Sequence, residues 1–547
     1  VTGLLVAASF ALPLVLAAAA LWPTMRDRLL GLLPLAPLAA LAAAIFAPGG
    51  SLVLTPDPLR LTLALDTPGA MLLGSSALLW CAAGSYAANY LAVSSRRTAF
   101  AVWWLLTMAG SLGLCLVADM TSFYLFFTVA SLAAYGLVAH EATPAAQRAG
   151  LVYMALALLG EAFLLLAFVV MAIGVPGGGN PSIAQAVAGI ATSPLRDAIL
   201  VLLVLGFGLK MGLVPLHVWM PLAHPVAPMP ASAVLSGIVV KAGVVGLIRF
   251  LPFGAPLGGW CEALIVLGLF TAFYGLAIGL AQPRPKVVLA YSTVSQMGVV
   301  AAIAGAGLAS GSEATPVLAA FYALHHMLVK GALFLGVGVT TAGGPPARPA
   351  FAVMAVLALA LAGLPFTSGA LAKYAVKDLF GEGIAALAVT LSATGSTLLM
   401  LHFLRRLSRL SAPDARTRPP PGLLLPFLAT AAASFLVAGL LLPSTGTAYA
   451  AVFAPEALWT ASWPMLLGAA LAFALRRSAL RIPDIPEGDL IVLAARLMPA
   501  VRRLVDAVEH TDETLRRWPV AGTLLLLLLL GLGAAMQLSA GFHPSGG

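Results

Sequence analysis

The chain has 547 residues, 61% of them hydrophobic and 9% charged, with a formal net charge of +9. A soluble core cannot hide so many apolar stretches of bilayer length, so the composition excludes a soluble enzyme and points to a polytopic membrane protein. The basic excess would suggest nucleic acid in a soluble chain. Here the basic residues sit in short loops and are read by the positive-inside rule instead.

A helix crosses the hydrocarbon in about 20 residues at ~1.5 Å each, and on that ruler the sequence holds about sixteen crossings. They fall near 3–22, 29–47, 68–92, 98–118, 121–139, 150–173, 197–214, 231–250, 259–279, 286–308, 315–340, 350–375, 383–404, 422–443, 461–475 and 519–538. The first run lacks a basic n-region and an A-x-A exit, so it reads as a retained helix. Residues 51–65, SLVLTPDPLRLTLAL, alternate apolar and polar positions and predict an outer β-hairpin.

With the N-terminus outward, the cytoplasmic loops hold Arg26, Arg28, Arg96, Arg97, Arg148, Arg284, Lys286, Arg348, Arg405, Arg406, Arg409, Arg416 and Arg418. The outer loops hold only Arg60, Arg196, Arg249 and Lys377, the bias expected of that orientation. Over 487–517, Leu490, Leu493, Leu497, Val501, Leu504 and Val508 form one stripe, with Arg496, Arg502, Arg503, Asp506, Glu509 and Asp512 elsewhere. That is an amphipathic helix along the cytoplasmic face, kinked at Pro499, ahead of a last apolar anchor. Such a helix lies on lipid or straps a neighbouring subunit, and its single stripe predicts the strap.

The chemistry concentrates in LGFGLKMGLVPLHVWMPLAHPVAPMPASAVLSGIVVKAGVVGLIRF, residues 205–250. Two apolar helices there each carry one lysine, Lys210 and Lys241. They are joined by a short connection with Pro215, Pro221, Pro225, Pro228 and Pro230, plus His217, Trp219 and His224. A lysine near mid-bilayer costs at least ~2.5 kcal/mol, so it persists where it faces protein or water. Snorkelling to the headgroups is the bland alternative, and it suits Lys241 poorly because long apolar runs separate it from both helix ends.

Four of the six lysines lie inside predicted crossings: Lys210, Lys241, Lys330 and Lys373. Tyr322, His326 and Lys330 stand at i, i+4 and i+8 and share one helix face, the pattern of a proton wire. His325 lies off that stripe and reads as a core histidine satisfied by a neighbour. In GLPFTSGALAK, Gly363, Pro365 and Gly369 are expected to interrupt a helix just before Lys373, as Gly212 and Pro215 interrupt one just after Lys210. Matching breaks in two halves of an apolar chain point to a transport site built from inverted repeats. Cys81, Cys115 and Cys261 stand singly, with no CxxC or Cys/His cluster, so no metal or redox cofactor is expected on this chain. The absence of a GxxxxGK[ST] loop argues against ATP hydrolysis.

These motifs, KMGLVPLHVWMPLAHP at 210–225, SAVLSGIVVKAG at 232–243, KVVLAYSTVSQMG at 286–298, HHMLVKGALFL at 325–335 and GLPFTSGALAK at 363–373, resemble a known family. It comprises the antiporter-like, proton-translocating subunits of respiratory complex I, membrane-bound hydrogenases and multisubunit cation/proton antiporters. PLAHP followed by SAVLSG is most similar to the hydrogenase-4 and formate hydrogenlyase branch.

The resemblance implies an all-α fold with an antiporter-like core of about fourteen helices and broken helices in two inverted five-helix repeats. The implied domains are 1–97 (N-terminal helices and outer hairpin), 98–250 and 251–405 (the repeats), 406–481 (C-terminal core helices) and 482–547 (lateral helix and anchor). It also implies a bacterial or archaeal inner membrane, partner membrane subunits, and soluble redox subunits reached indirectly.

By position, Lys210 is implied as the lysine modulated by a carboxylate, Lys241 as the bridge, His326 and Lys330 as the middle relay, and Lys373 as the lysine of the second broken helix. His217, His224, Ser236, Tyr322 and Thr128 are implied at proton uptake or gating positions. The family usually carries a glutamate where FFTVASLAAYGLV has Thr128, so Glu161, the acid near the centre of a crossing, is the expected surrogate paired with or water-bridged to Lys210. The relay is expected along one hydrated path, because separate helices hold such groups about 8–10 Å apart. Two rival readings remain: a subunit of a redox-independent cation/proton antiporter or ion-coupled uptake complex, and a non-conducting scaffold.

Overall fold

Asp66 and Asp119 set the frame. Each caps a helix through its carboxylate, Asp66 accepting from Gly69 N at 2.9 Å and Asp119 from Ser122 N at 2.8 Å. The structure, a computed structural model, describes residues 2–55, 61–175, 180–255, 257–342, 348–410, 419–478, 483 and 485–492. In chain order the helices are α1 (Thr2–Ala19), α2 (Pro23–Leu32), α3 (Leu38–Phe46), α4 (Thr67–Tyr90), α5 (Arg97–Leu114), α6 (Met120–Val138) and α7 (Pro144–Ile173). Then come α8 (Ile183–Ala188), α9 (Arg196–Met211), α10 (Trp219–Val226), α11 (Met229–Val234), α12 (Lys241–Phe250), α13 (Trp260–Leu280) and α14 (Pro285–Ala309). The last are α15 (Thr315–Ala342), α16 (Arg348–Ala362), α17 (Ser368–Val376), α18 (Ile384–Leu410), α19 (Pro421–Leu441), α20 (Tyr449–Val452) and α21 (Pro455–Arg477).

The expected hairpin forms, with β1 (Ser51–Val53) antiparallel to β2 (Thr62–Ala64) and Leu52 opposite Leu63. It is tied down at several points. Thr62 N donates to Asp119 Oδ2 at 2.5 Å, and Arg249, at the end of α12, donates to both Asp66 oxygens at 3.0 and 3.1 Å.

Among the described residues, eleven of the expected crossings are helices long and apolar enough to span a bilayer. The crossing at 29–47 is instead two short helices split by turns at 33–37, where Pro34 and Pro37 withhold backbone donors. The crossing at 350–375 is two helices, α16 and α17. That at 231–250 is α11 and α12 joined by a π-helical segment, Leu235–Val239. The spans that carry Lys241, Lys286 and Lys330 are the most enclosed of the candidate membrane spans among the described residues: an apolar 18-residue window of Met229–Phe250 and of Pro285–Ala309 is 100% buried and that of α15 94%, against 17% for α1 and α21. Residues up to Gly488 form one compact unit and Asp489–Gly547 a second. The expected lateral helix lies outside the described residues from 493 onward, as does the anchor at 519–538.

Each long-range ion pair among the described residues joins loops that the crossing count puts on one side: Arg97 with Asp27, Arg249 with Asp66, and Arg284 with Glu487. The alternation of sides read from the sequence is therefore consistent with the packing.

Both lysine-associated breaks are present. Helix α9 stops at Met211 because Gly212 turns to φ +75°, a conformation that costs glycine little, and an irregular stretch with a cis Val214–Pro215 bond leads into α10. The proline-rich connection expected between Lys210 and Lys241 thus contains a helix of its own. The second break runs from Gly363, at φ +107°, to Thr367. Gly369 was expected to interrupt the chain there but lies inside α17, where a Cβ would run into the Ala360 carbonyl oxygen. It permits close packing of α17 on α16.

Candidate proton relay

Because α9 breaks just after Lys210, α10 can fold back over its end, and Trp219 Nε1 donates to Leu209 O at 2.9 Å. Lys210 is buried there, its Nζ donating to Ser131 Oγ of α6 at 2.7 Å and to Tyr153 OH of α7 at 3.0 Å. Tyr153 OH in turn donates to Ser131 O at 2.8 Å, and the Phe127 ring lies 5.5 Å from the ammonium.

Glu161, also buried, makes no direct ion pair with Lys210, although the two are electrostatic neighbours. Ser131 and Thr128 lie in the same neighbourhood as Glu161, and of the two Ser131 also touches the lysine. The direct form of the expected pair is absent, and Glu161 Oε1 and Thr128 Oγ1 are both buried without a hydrogen-bond partner. A cavity of about 10 Å³ lined by Ser131, Tyr153 and Lys210 has room for about one water.

The centre is built on the π-helical segment. Widening the helix by one residue makes Val240 N donate to Leu235 O at 3.3 Å and leaves Ser236 O to accept from Lys241 Nζ at 3.1 Å. On its other side Lys241 Nζ lies 2.5 Å from His326 Nδ1 of α15. The expected 8–10 Å gap is closed here, because two inward side chains reach across from adjacent helices and need no water between them. His326 Nε2 is buried without a hydrogen-bond partner. Ser236 Oγ and Thr293 Oγ1 of α14 are 2.8 Å apart beside this pair.

The Tyr322, His326 and Lys330 stripe points inward, but its members reach different helices. Lys330 Nζ donates to Leu289 O at 2.7 Å and to Ser292 Oγ, both on α14. Tyr322 OH donates to Gln296 Oε1 at 2.7 Å, and Gln296 Nε2 donates to Ser396 Oγ of α18 at 3.3 Å. His325 does have the expected neighbour, with Nδ1 2.9 Å from Ser368 Oγ. That neighbour opens α17, the helix of Lys373.

Lys373 Nζ donates to Ala362 O at 2.5 Å, a carbonyl at the end of α16 beside the break. It also lines a cavity of about 380 Å³ shared with Lys377, Asp378 and Glu382. His217 packs edge-on to Tyr274, ring centroids 5.2 Å apart. The His224 ring lies 5.1 Å from Phe334, and its nitrogens make no hydrogen bond.

Sequence reasoning missed Ser131, Tyr153, Ser292, Thr293, Gln296 and Ser368, since hydroxyls and amides are common in helices and no spacing marks them. It also missed Lys286, counted as a loop charge. Its Nζ donates to Ala227 O at 2.6 Å and so holds the end of α10, where a cation is favourable.

Residues 117–400 match the family described as NADH:quinone oxidoreductase/Mrp antiporter, TM, a span containing every candidate relay residue above. The chain belongs to that family. It is 31% identical over 296 residues to hydrogenase-4 component B of Escherichia coli, covering 51% of this chain and 43% of that protein. It is 31% identical over 397 residues to NADH-quinone oxidoreductase subunit N of Desulforudis audaxviator, covering 67% of this chain and 77% of that one. The chain thus spans less than half of the first relative and about three quarters of the second. In fold it is similar to the Mrp complex from Dietzia sp., with a TM-score of 0.75 at 23% identity, over 100% of this chain and 64% of that chain. It is therefore a multi-pass, antiporter-like membrane subunit.

Proposed function

We propose that the chain translocates protons as a membrane subunit of a redox-driven complex related to hydrogenase-4 and complex I, with the redox centres on other subunits. The observation that carries this reading is the buried Lys241–His326 contact, 2.5 Å long, with Lys330 on the same face of α15 as His326. Buried cations without a partner carboxylate are costly and add nothing to packing that a leucine would not supply. Their retention in a row argues for proton passage rather than for a scaffold.

Protons pass from the Lys210 and Glu161 site to Lys241, across the direct contact to His326 and on to Lys330, and leave near Lys373. The His325–Ser368 contact and the cavity at Lys373 support that last leg. The two breaks beside Lys210 and Lys373 support two inverted repeats. The arginine bias supports an outward N-terminus in a bacterial or archaeal inner membrane, with exit on the outer face.

The test is proton uptake into proteoliposomes carrying the complex, driven by its electron donor, with and without sodium. Uptake independent of sodium is the expected result. Transport that requires sodium would favour the cation/proton antiporter reading.

A further inference from the structure

Away from the relay, the ends of α18 and α21 border a cavity of about 430 Å³. Its walls are of two kinds. Leu398, Leu401 and Phe473 make an apolar side, while Arg405 and Arg406 from α18 and Arg476 from α21 line it with guanidinium groups. Among the described residues no carboxylate lines it, and the ion pairs engage other arginines. Arg405 is in electrostatic reach of Arg406, Arg409 and Arg476, so like charges from two helices converge with no counter-charge among the described residues. The wall is also fixed in place. His402 Nε2 donates to Gln282 O at 2.9 Å, and Gln282 Nε2 donates to Ile485 O at 3.1 Å.

A basic bias on one membrane face explains arginines at helix ends, but not their convergence on one cavity from two helices. Guanidinium groups match phosphate oxygens in a bidentate fork, and basic pockets between membrane helices suit lipid phosphates. The volume and the apolar wall exceed what a free phosphate ion needs and suit an acyl chain attached to it.

We propose that this cavity binds an anionic phospholipid, its phosphate among Arg405, Arg406 and Arg476 and its chain along Leu398, Leu401 and Phe473. The lipid phosphate sets a negative charge among the three cations and bridges α18 to α21. Proton conduction is not needed for this site, so the two proposals stand or fall separately.

The test is native mass spectrometry of the full chain in detergent, offered phosphatidylglycerol and phosphatidylcholine in equal amounts. Retention of phosphatidylglycerol at least tenfold over phosphatidylcholine is expected, with that preference lost in Arg405→Gln/Arg476→Gln and largely kept in Arg405→Lys/Arg476→Lys. Equal retention of both lipids by the unaltered chain overturns the proposal, and so does an unchanged preference in the glutamine variant. A thermal shift from inorganic phosphate alone as large as that from phosphatidylglycerol would assign the site to a free anion instead. The comparison on the unaltered chain needs no variant to fold.

Discussion

Replacing Lys330 by methionine separates conduction from packing. Lys330 is fully buried and donates to Leu289 O and Ser292 Oγ. Losing two hydrogen bonds from a charged donor costs about 1.5–3 kcal/mol each. Removing the buried charge returns a desolvation penalty of several kcal/mol, and methionine keeps the stem volume. Neither former partner is stranded, since Leu289 O still accepts from Thr293 Oγ1 at 3.2 Å and Ser292 Oγ still donates to Leu289 O at 2.9 Å. The terms cancel to within about 1–2 kcal/mol, so thermal unfolding in detergent should barely move. Proton uptake in proteoliposomes should fall at least tenfold, equivalent to about 1.4 kcal/mol or more on the barrier. Unimpaired uptake would refute a role for Lys330 in the path. Lost uptake together with a collapsed melting transition would show that the lysine is structural.

Other substitutions probe other parts of the account. Asp66→Ala removes the α4 cap and the half-exposed pair with Arg249, and should cost about 1–2 kcal/mol of stability, read by thermal melting with transport otherwise intact. Gly369→Ala drives a methyl into the Ala360 carbonyl and should destabilise by about 1–3 kcal/mol; a neutral result would mean that α16 and α17 can part cheaply. Glu161→Gln keeps the shape and removes the charge beside Ser131 and Lys210, so uptake should drop severalfold. Undiminished uptake would end the surrogate role of Glu161.

What the sequence made legible follows from the strength of each physical signal. Bilayer-length apolar runs and the cost of a lysine inside them located the helices and the four lysines within them, and Gly212, Pro215, Gly363 and Pro365 located the breaks. The split at 33–37 was hidden because the run from 29 to 47 is apolar throughout, and hydropathy outweighed Pro34 and Pro37. Gly369 was misread because a glycine that breaks a helix and one that lets two helices touch are the same letter. The direct Lys241–His326 contact depends on a π-helical segment, and no motif in LSGIV announces it. Which hydroxyl serves which lysine is tertiary information, set by how α6, α7 and α14 pack around α9, α12 and α15.

The central claim is that a proton passes directly between Lys241 and His326. The measurement that reaches it most directly is a double-mutant cycle on proton uptake, with Lys241→Ala, His326→Gln and the pair. Because the two groups touch at 2.5 Å, each single variant should abolish most of the uptake and the double variant should lose no more than either. Full uptake by both single variants, or losses that simply add, would contradict it.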